Sequence, residues 1–169
     1  MLSGKSINMS LNDMSVGKLG NHFMEVQHPS LKQALTTFSA CCYLISAIDE
    51  KEPKTKIISI WLAELERLLK QHLEQDEKIL FPYLRAKIDD GHNTSNVPPL
   101  SYRIVQGEHV IIRNLFNNIR LMSDQYTAPE GSTATLKLCY AHTFNFEQDM
   151  FRHIFLEDDI LLPKLLSNK

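Results

Sequence analysis

Residues 72–82 read HLEQDEKILFP and residues 153–163 read HIFLEDDILLP. The two stretches align at an offset of 81, which pairs His72 with His153, Asp76 with Glu157 and Pro82 with Pro163. His28 and His109 repeat at the same offset, each 44 residues ahead of a His-x-x-x-carboxylate motif. Residues four apart on a helix share a face, so each motif presents an imidazole and a carboxylate together. Both motifs fall inside apolar stripes, where an unpaired carboxylate is expensive to bury. A metal ion removes that cost, so the repeat predicts one symmetric two-metal centre shared by two similar helical hairpins.

The flanking pattern supplies the helices. From His28, apolar residues recur at Leu31, Leu35, Phe38, Cys42, Ile45 and Ile48. Pro53 suits the first turn of a second helix, with the stripe Ile58, Trp61, Leu65, Leu68, His72, Asp76, Ile79, Tyr83. A loop rich in Asp, Gly, Asn, Ser and Pro runs from Asp89 to Pro99. The third stripe is Ile104, Val105, His109, Ile112, Leu115, Ile119, Met122, and a second loop spans Ser123 to Ser132. The fourth is Leu136, Cys139, Thr143, Phe146, Met150, His153, Glu157, Ile160, all at steps of three or four. These predict an all-α, up-down-up-down four-helix bundle over residues 25–169. Residues 1–24 form an N-terminal extension with one short helix, its weak pattern running through Met14, Leu19, Phe23 and Met24. Pro82 and Pro163 are expected to kink or end the second and fourth helices.

Helix lengths bring the histidines together. From His28 to Asp49 is 21 residues outward, and from Pro53 to His72 is 19 back; His109 to Tyr126 and Ser132 to His153 give 17 and 21. At about 1.5 Å per residue the legs nearly cancel, so all four imidazoles reach one level.

Composition limits the alternatives. With 169 residues and 43% apolar content the chain suits a single domain with a real core. Eighteen Lys+Arg against 20 Asp+Glu leave no basic stripe, which argues against nucleic acid and anionic membrane as partners. Nothing resembles a signal peptide or a spanning run, and Cys41, Cys42 and Cys139 lack CxxC spacing, so a cytoplasmic protein with reduced core thiols is expected.

Four imidazoles and two carboxylates suit iron, manganese or zinc, each ion holding two histidines with the carboxylates between them. Positions then remain for an oxo or hydroxo bridge and one small exogenous ligand. Ferritin-like centres instead use Glu-x-x-His; Glu25-x-x-His28 matches once, but Gln106 stands before His109. That alternative fails.

At HLEQDEKILFP, GEHVIIRNLF (107–116), the loop around Tyr126–Glu130 and HIFLEDDILLPK (153–164), the chain resembles the hemerythrin-like (HHE cation-binding) domain, most closely the di-iron domain of iron–sulfur-cluster repair proteins. The resemblance covers residues 25–166. It implies two oxo- or hydroxo-bridged irons, or other divalent metals, on His28, His72, Asp76, His109, His153 and Glu157. It further implies reactivity towards dioxygen, nitric oxide or peroxide, and a role in repair of damaged iron–sulfur proteins or in the nitrosative and oxidative stress response. A reversible carrier or sensor without turnover, and a metal-poor interaction bundle, are the rival readings; enzyme and carrier stay open. Asp76 stands where the repair proteins carry Glu, with Glu77 as fallback. Residues 1–27 contain no cysteine, so the Cys-Cys domain common in those proteins is not expected here. Glu108 matches an acidic residue near the family's site entrance: a supporting acceptor, a guard on access, or a solvated charge. Asp49 matches a further family histidine but lies about 31 Å of helix from His28, so it is no ligand. His142 belongs with the core, His22 and His92 with exposed segments. Asp149 either bonds a ligand imidazole or faces solvent.

Overall fold

The computed structural model describes residues 11, 13–48, 53–89 and 99–166. The Asp89–Pro99 loop beyond its ends, His92 and Asp49 lie outside the described residues. All regular structure among the described residues is helical: α1 (Val16–His22), α2 (His28–Ala47), α3 (Pro53–Gln75), α4 (Phe81–Asp89), α5 (Pro99–Met122), α6 (Ala134–Phe155) and α7 (Leu162–Leu166). Four of these are long and form the bundle, with α2 packed against both α3 and α6, and α3 against α5; α5 and α6 meet at few points. No described helix is long and apolar enough to cross a membrane.

Helix starts follow their local chemistry. Pro53 and Pro99 open α3 and α5, where the missing N–H has no intrahelical partner to lose. Ser15 caps α1 by accepting from the Lys18 amide, and Thr133 caps α6 by accepting from the Leu136 amide at 3.2 Å.

Three wide π turns join helices without interrupting them: Phe23–Gln27 between α1 and α2, Asp76–Leu80 between α3 and α4, and Leu156–Leu161 between α6 and α7. Each closes on a bond from residue i to i−5: His28 N–H to Phe23 O, Phe81 N–H to Asp76 O, Leu162 N–H to Glu157 O. The next residue in every case is proline, at 29, 82 and 163. A proline ring collides with the carbonyl four residues back, and opening the preceding turn relieves the collision without ending the helix. Position 110, the 81-offset counterpart of Pro29, is Val, and α5 runs straight through it.

This overturns one of the two alternatives expected for Pro82 and Pro163, that they end their helices. Neither ends a helix; the chain stays helical to Asp89 and Leu166. The extra residue in the turn also shifts the buried face. The regular spacing placed Ile79 and Tyr83 inward, whereas Leu80, Phe81 and Leu84 are buried and Ile79 is 55% exposed. The first helix likewise starts earlier than its stripe suggests, since α1 runs through its π turn into α2, and His22 is half-buried in it rather than exposed.

The apolar interior falls into two clusters. One fills the bundle with Leu35, Phe38, Ile58, Leu65, Ile112, Phe116, Ile119, Phe146 and Met150 among others; Trp61 packs against its edge. The other gathers Leu11, Leu19 and Phe23 with Leu80, Phe81, Leu84, Ile160, Leu161 and Leu165, the residues after the π turns. The histidine–carboxylate motifs lie between the two. Cys41, Cys42 and Cys139 are unbonded and buried in the first cluster. Burial pushes the Cys41 thiol up to about 12, helped by the adjacent Cys139, so it stays protonated and unreactive.

Between α5 and α6, Asp124, Gln125 and Tyr126 all hold positive φ, at 50, 58 and 61°. A left-handed L-residue costs about 1–2 kcal/mol, so three in a row need support. Ser123 Oγ accepts from the Tyr126 amide at 3.0 Å, and the Gln125 amide donates to Arg120 O at 2.8 Å. The Tyr126 ring meets Tyr140 and Phe144 edge-on, close to a fully buried Glu147 that Arg120 holds through Nε at 3.1 Å and through Nη2.

The shifted register is testable by chemical denaturation. Leu84→Ala is expected to lower unfolding free energy by about 2–5 kcal/mol, and Ile79→Ala to stay within about 0.5 kcal/mol. Equal losses would show that the turn does not shift the buried face.

Candidate metal centre

The structure brings His28, His72, Asp76, His109, His153 and Glu157 together, all 1% exposed or less. His72 and Asp76 sit at the α3 end, where the helix opens into its π turn; His153 and Glu157 occupy the same place on α6. His28 is the first residue of α2, and His109 lies on the first half of α5.

Each carboxylate faces three imidazoles. Asp76 Oδ2 lies 3.6, 3.6 and 3.5 Å from the Nε2 atoms of His28, His72 and His153. Glu157 Oε2 lies 3.3, 3.7 and 3.6 Å from those of His109, His72 and His153. The Nε2 atoms of His72 and His153 are 3.3 Å apart. One ligating atom from each of His72, Asp76, His153 and Glu157 falls within 4.8 Å of the others, a set that could hold a metal ion. Asp76, one methylene shorter than its counterpart, still reaches as many imidazoles as Glu157 does.

His72 and His153 share a hydrogen bond through their Nε2 atoms, but the carboxylate contacts are too long or poorly aligned to be hydrogen bonds. Both oxygens of Asp76 and of Glu157, with Nε2 of His28 and His109, are buried without a hydrogen-bond partner. Native interiors rarely leave such atoms unpaired. Their convergence on one point, with nitrogen and oxygen donors and no thiolate, fits iron, manganese or zinc.

The outer ring nitrogens have acceptors that spacing alone did not reveal. His109 Nδ1 is 2.9 Å from Asp158 Oδ1, and His28 Nδ1 is 3.3 Å from Glu77 Oε1. Positions 77 and 158 differ by 81, and so do 32 and 113: Lys32 holds Glu77 at 2.8 Å and Arg113 approaches Asp158 at 3.9 Å. The repeat therefore extends to the groups that orient the histidines. Glu77 lies outside the central cluster, on the far side of His28. Glu108 Oε2 faces His72 Nδ1 at 3.8 Å, so it is neither remote nor simply solvated. Asp149 is exposed, and His142 is only half-buried and outside the cluster. The buried Glu147 with Arg120 was missed: Glu147 is flanked by the stripe residues Phe146 and Met150, and a carboxylate on that face was the available signal.

Proton affinities follow from these contacts. Burial disfavours the His109 cation, but Asp158 and Glu157 outweigh it and raise the imidazole to about 9. Burial likewise opposes charge on His72, and Asp76, Glu108 and Glu157 overturn it, so that His72 is also raised. His153, wholly enclosed, is held below the ordinary imidazole value by desolvation. Asp76 is buried too, yet His72, His153 and His28 hold its carboxyl well below the usual carboxylate range.

For His109 the folded value exceeds the ordinary 6.5. Its stabilisation is therefore complete below about pH 6.5 and lost as pH rises through about 9. Metal binding runs the opposite way, because the cation competes with the proton. The thermal midpoint of metal-free protein is expected to fall over that window while cobalt(II) affinity rises and uptake releases protons into weak buffer. A cobalt affinity independent of pH from 6.5 to about 9 would refute this competition.

The model of the family described as the hemerythrin HHE cation binding domain matches residues 19–165. The iron-sulfur cluster repair protein YtfE of Edwardsiella ictaluri (strain 93-146) is 30% identical over 107 residues, 63% of this chain and 46% of that protein. The protein of the same name from Musicola paradisiaca (strain Ech703) is 30% identical over 101 residues, 60% and 43% of the two chains. That from Enterobacter sp. (strain 638) is 22% identical over 169 residues, 99% and 74%. The chain thus spans less than half the length of the first two relatives. The family match runs through the four long helices and every residue of the cluster, and on that ground the chain belongs to the hemerythrin HHE cation-binding domain family.

Proposed function

We propose that this chain holds a non-haem di-iron centre and serves iron–sulfur cluster repair or the response to nitric oxide and oxidative stress. In this reading residues 25–169 form an up-down-up-down bundle, 1–24 its extension. The ligands are His28, His72, Asp76, His109, His153 and Glu157, the two carboxylates lying between the ions. The observation that carries the reading is the convergence of six buried ionisable side chains whose inward-facing carboxylate oxygens and outer-histidine Nε2 atoms have no hydrogen-bond partner. Such a layer is costly without a cation and favourable with one. Iron bound there would supply redox chemistry and an affinity for dioxygen, nitric oxide or peroxide. The protein's own part is to fix the imidazoles through Asp158 and Glu77 and to enclose the site between two apolar clusters. The repair role rests on the printed names of the relatives, and a cytoplasmic location on the reduced thiols such a setting favours.

Protein expressed with supplementary iron is expected to carry about two irons per chain, with oxo-to-iron charge-transfer absorption. His72→Ala and His153→Ala should each lower iron content steeply; wild-type-like iron in both would end the proposal. Asp76→Glu should retain or tighten binding, and Glu77→Ala, outside the cluster, should keep the stoichiometry near two. Loss of iron in Glu77→Ala together with no effect of Asp76→Glu would move the bridging role to Glu77. Nitric oxide taken up and released reversibly, without turnover, would favour the carrier over the enzyme.

A further inference from the structure

The 81-residue repeat matches the six inner side chains and the Glu77–Lys32 and Asp158–Arg113 pairs behind His28 and His109, but not the groups behind His72 and His153. On one side stand His72 and His109, whose rings contact each other at 4.8 Å; on the other stand His28 and His153, at 6.0 Å. Both outer nitrogens of the first pair point to carboxylates. His109 Nδ1 bonds Asp158 at 2.9 Å, and His72 Nδ1 faces Glu108 Oε2 at 3.8 Å, two atoms that have no other hydrogen-bond partner. A small closure on metal binding would turn that contact into a hydrogen bond.

The second pair is set differently. His28 Nδ1 meets Glu77, but that carboxylate is 38% exposed and already held by Lys32. His153 Nδ1 is buried without a partner, and its ring stacks on Phe23 at 4.7 Å. Phe81 presses edge-on against His28, also at 4.7 Å. The counterpart of Glu108 is Gln27, whose amide lies 3.4 Å from His22 Nε2. Gln71, which donates to Glu108 at 3.5 Å, is matched by Arg152, and Arg152 shares with Gln27 and the acidic Asp149 a surface cleft of about 120 Å³. The first pair thus has two carboxylates, 16% and 18% exposed, behind it; the second has one more exposed carboxylate, two phenyl rings and an amide.

A carboxylate that accepts the outer N–H makes an imidazole a stronger donor and adds negative charge close to the cation, and losing such a partner typically costs 10–100-fold in affinity. An exposed carboxylate already paired with lysine supplies much less. Building on the two-metal reading, we propose that the two metal positions are unequal: the one on His72 and His109 fills first and holds its ion firmly, and the one on His28 and His153 is weaker and exchangeable. Glu108 is the positioning residue of the firm position, and Gln27, its counterpart in the repeat, brings no carboxylate to His153.

The test is anaerobic titration of the full metal-free chain with cobalt(II), followed by native mass spectrometry and calorimetry. Wild type should pass through a singly loaded form, with two dissociation constants about 10-fold apart or more. Glu108→Gln should weaken the first by about 10–100-fold and leave the second unchanged, with Glu108→Asp restoring part of the loss. Gln27→Glu should tighten the second by about 10-fold, a gain that damage to the fold cannot produce. Two ions bound with indistinguishable constants, or Gln27→Glu without any gain, would overturn the inequality alone. Uptake of no more than one ion at saturation would overturn the two-metal reading beneath it.

Discussion

Everything near the proline-bearing ends of this bundle depends on the cost of removing four imidazoles and two carboxylates from water at one point. Two carboxylates face shared imidazoles at 3.3–3.7 Å, and they raise the proton affinity of His72 and His109. Protons are a poor substitute for a cation, because His153 sits where burial disfavours charge and the Asp76 and Glu157 oxygens lack aligned donors. A divalent ion supplies the missing charge and occupies the lone pairs together. The rest of the site can then be read as what is required to hold that polar layer in place: an apolar cluster on each side, and a carboxylate on the outer nitrogen of His28 and of His109.

Proline supplies part of that placement. A regular helix through Pro82 or Pro163 would carry a steric clash, and the chain relieves it by widening the turn that contains Asp76 or begins beside Glu157. The same widening turns Leu80, Phe81 and Leu84 inward, where they join Phe23 and Leu19 in closing the end of the bundle. One backbone event therefore positions a carboxylate and builds the apolar wall beyond it. At His109 the position matching Pro29 is Val110, the helix is regular, and the wall contributes no ring there. The π turns track proline inside the helices: one precedes each of Pro29, Pro82 and Pro163, and the helix is regular at Val110.

Much of this was legible in the sequence because the relevant signals are periodic. Spacings of three and four located the long helices, and a single repeated offset picked out the six side chains that meet. What periodicity could not convey is a change of period. The inward stripe assigned to Ile79 and Tyr83 assumed 3.6 residues per turn through a proline, and the extra residue of the π turn moved burial one position along. Contacts between helices far apart in the chain were also hidden, so Arg120 with Glu147 emerged only in three dimensions. The supporting pairs Glu77–Lys32 and Asp158–Arg113 were in fact available, because they obey the same offset of 81; charged residues on exposed faces carry so little information alone that the match passed unnoticed.

The repeat itself has a further meaning once its exceptions are set beside its matches. A duplicated hairpin should yield two equivalent halves, and at the inner side chains it does, apart from the exchange of Glu for Asp76. Among the departures are four one layer out: Gln27 against Glu108, Phe23 against Ile104, Phe81 against Leu162, Arg152 against Gln71. The halves differ at many other positions too, Lys78 against Asp159 among them, but each of these four places a residue of one half beside a histidine or beside Glu108. Ligand identity sets whether a metal binds, and the groups behind the ligands set how firmly and at what charge. A matched inner layer inside a partly unmatched outer one would let two ions on alike ligands differ in affinity.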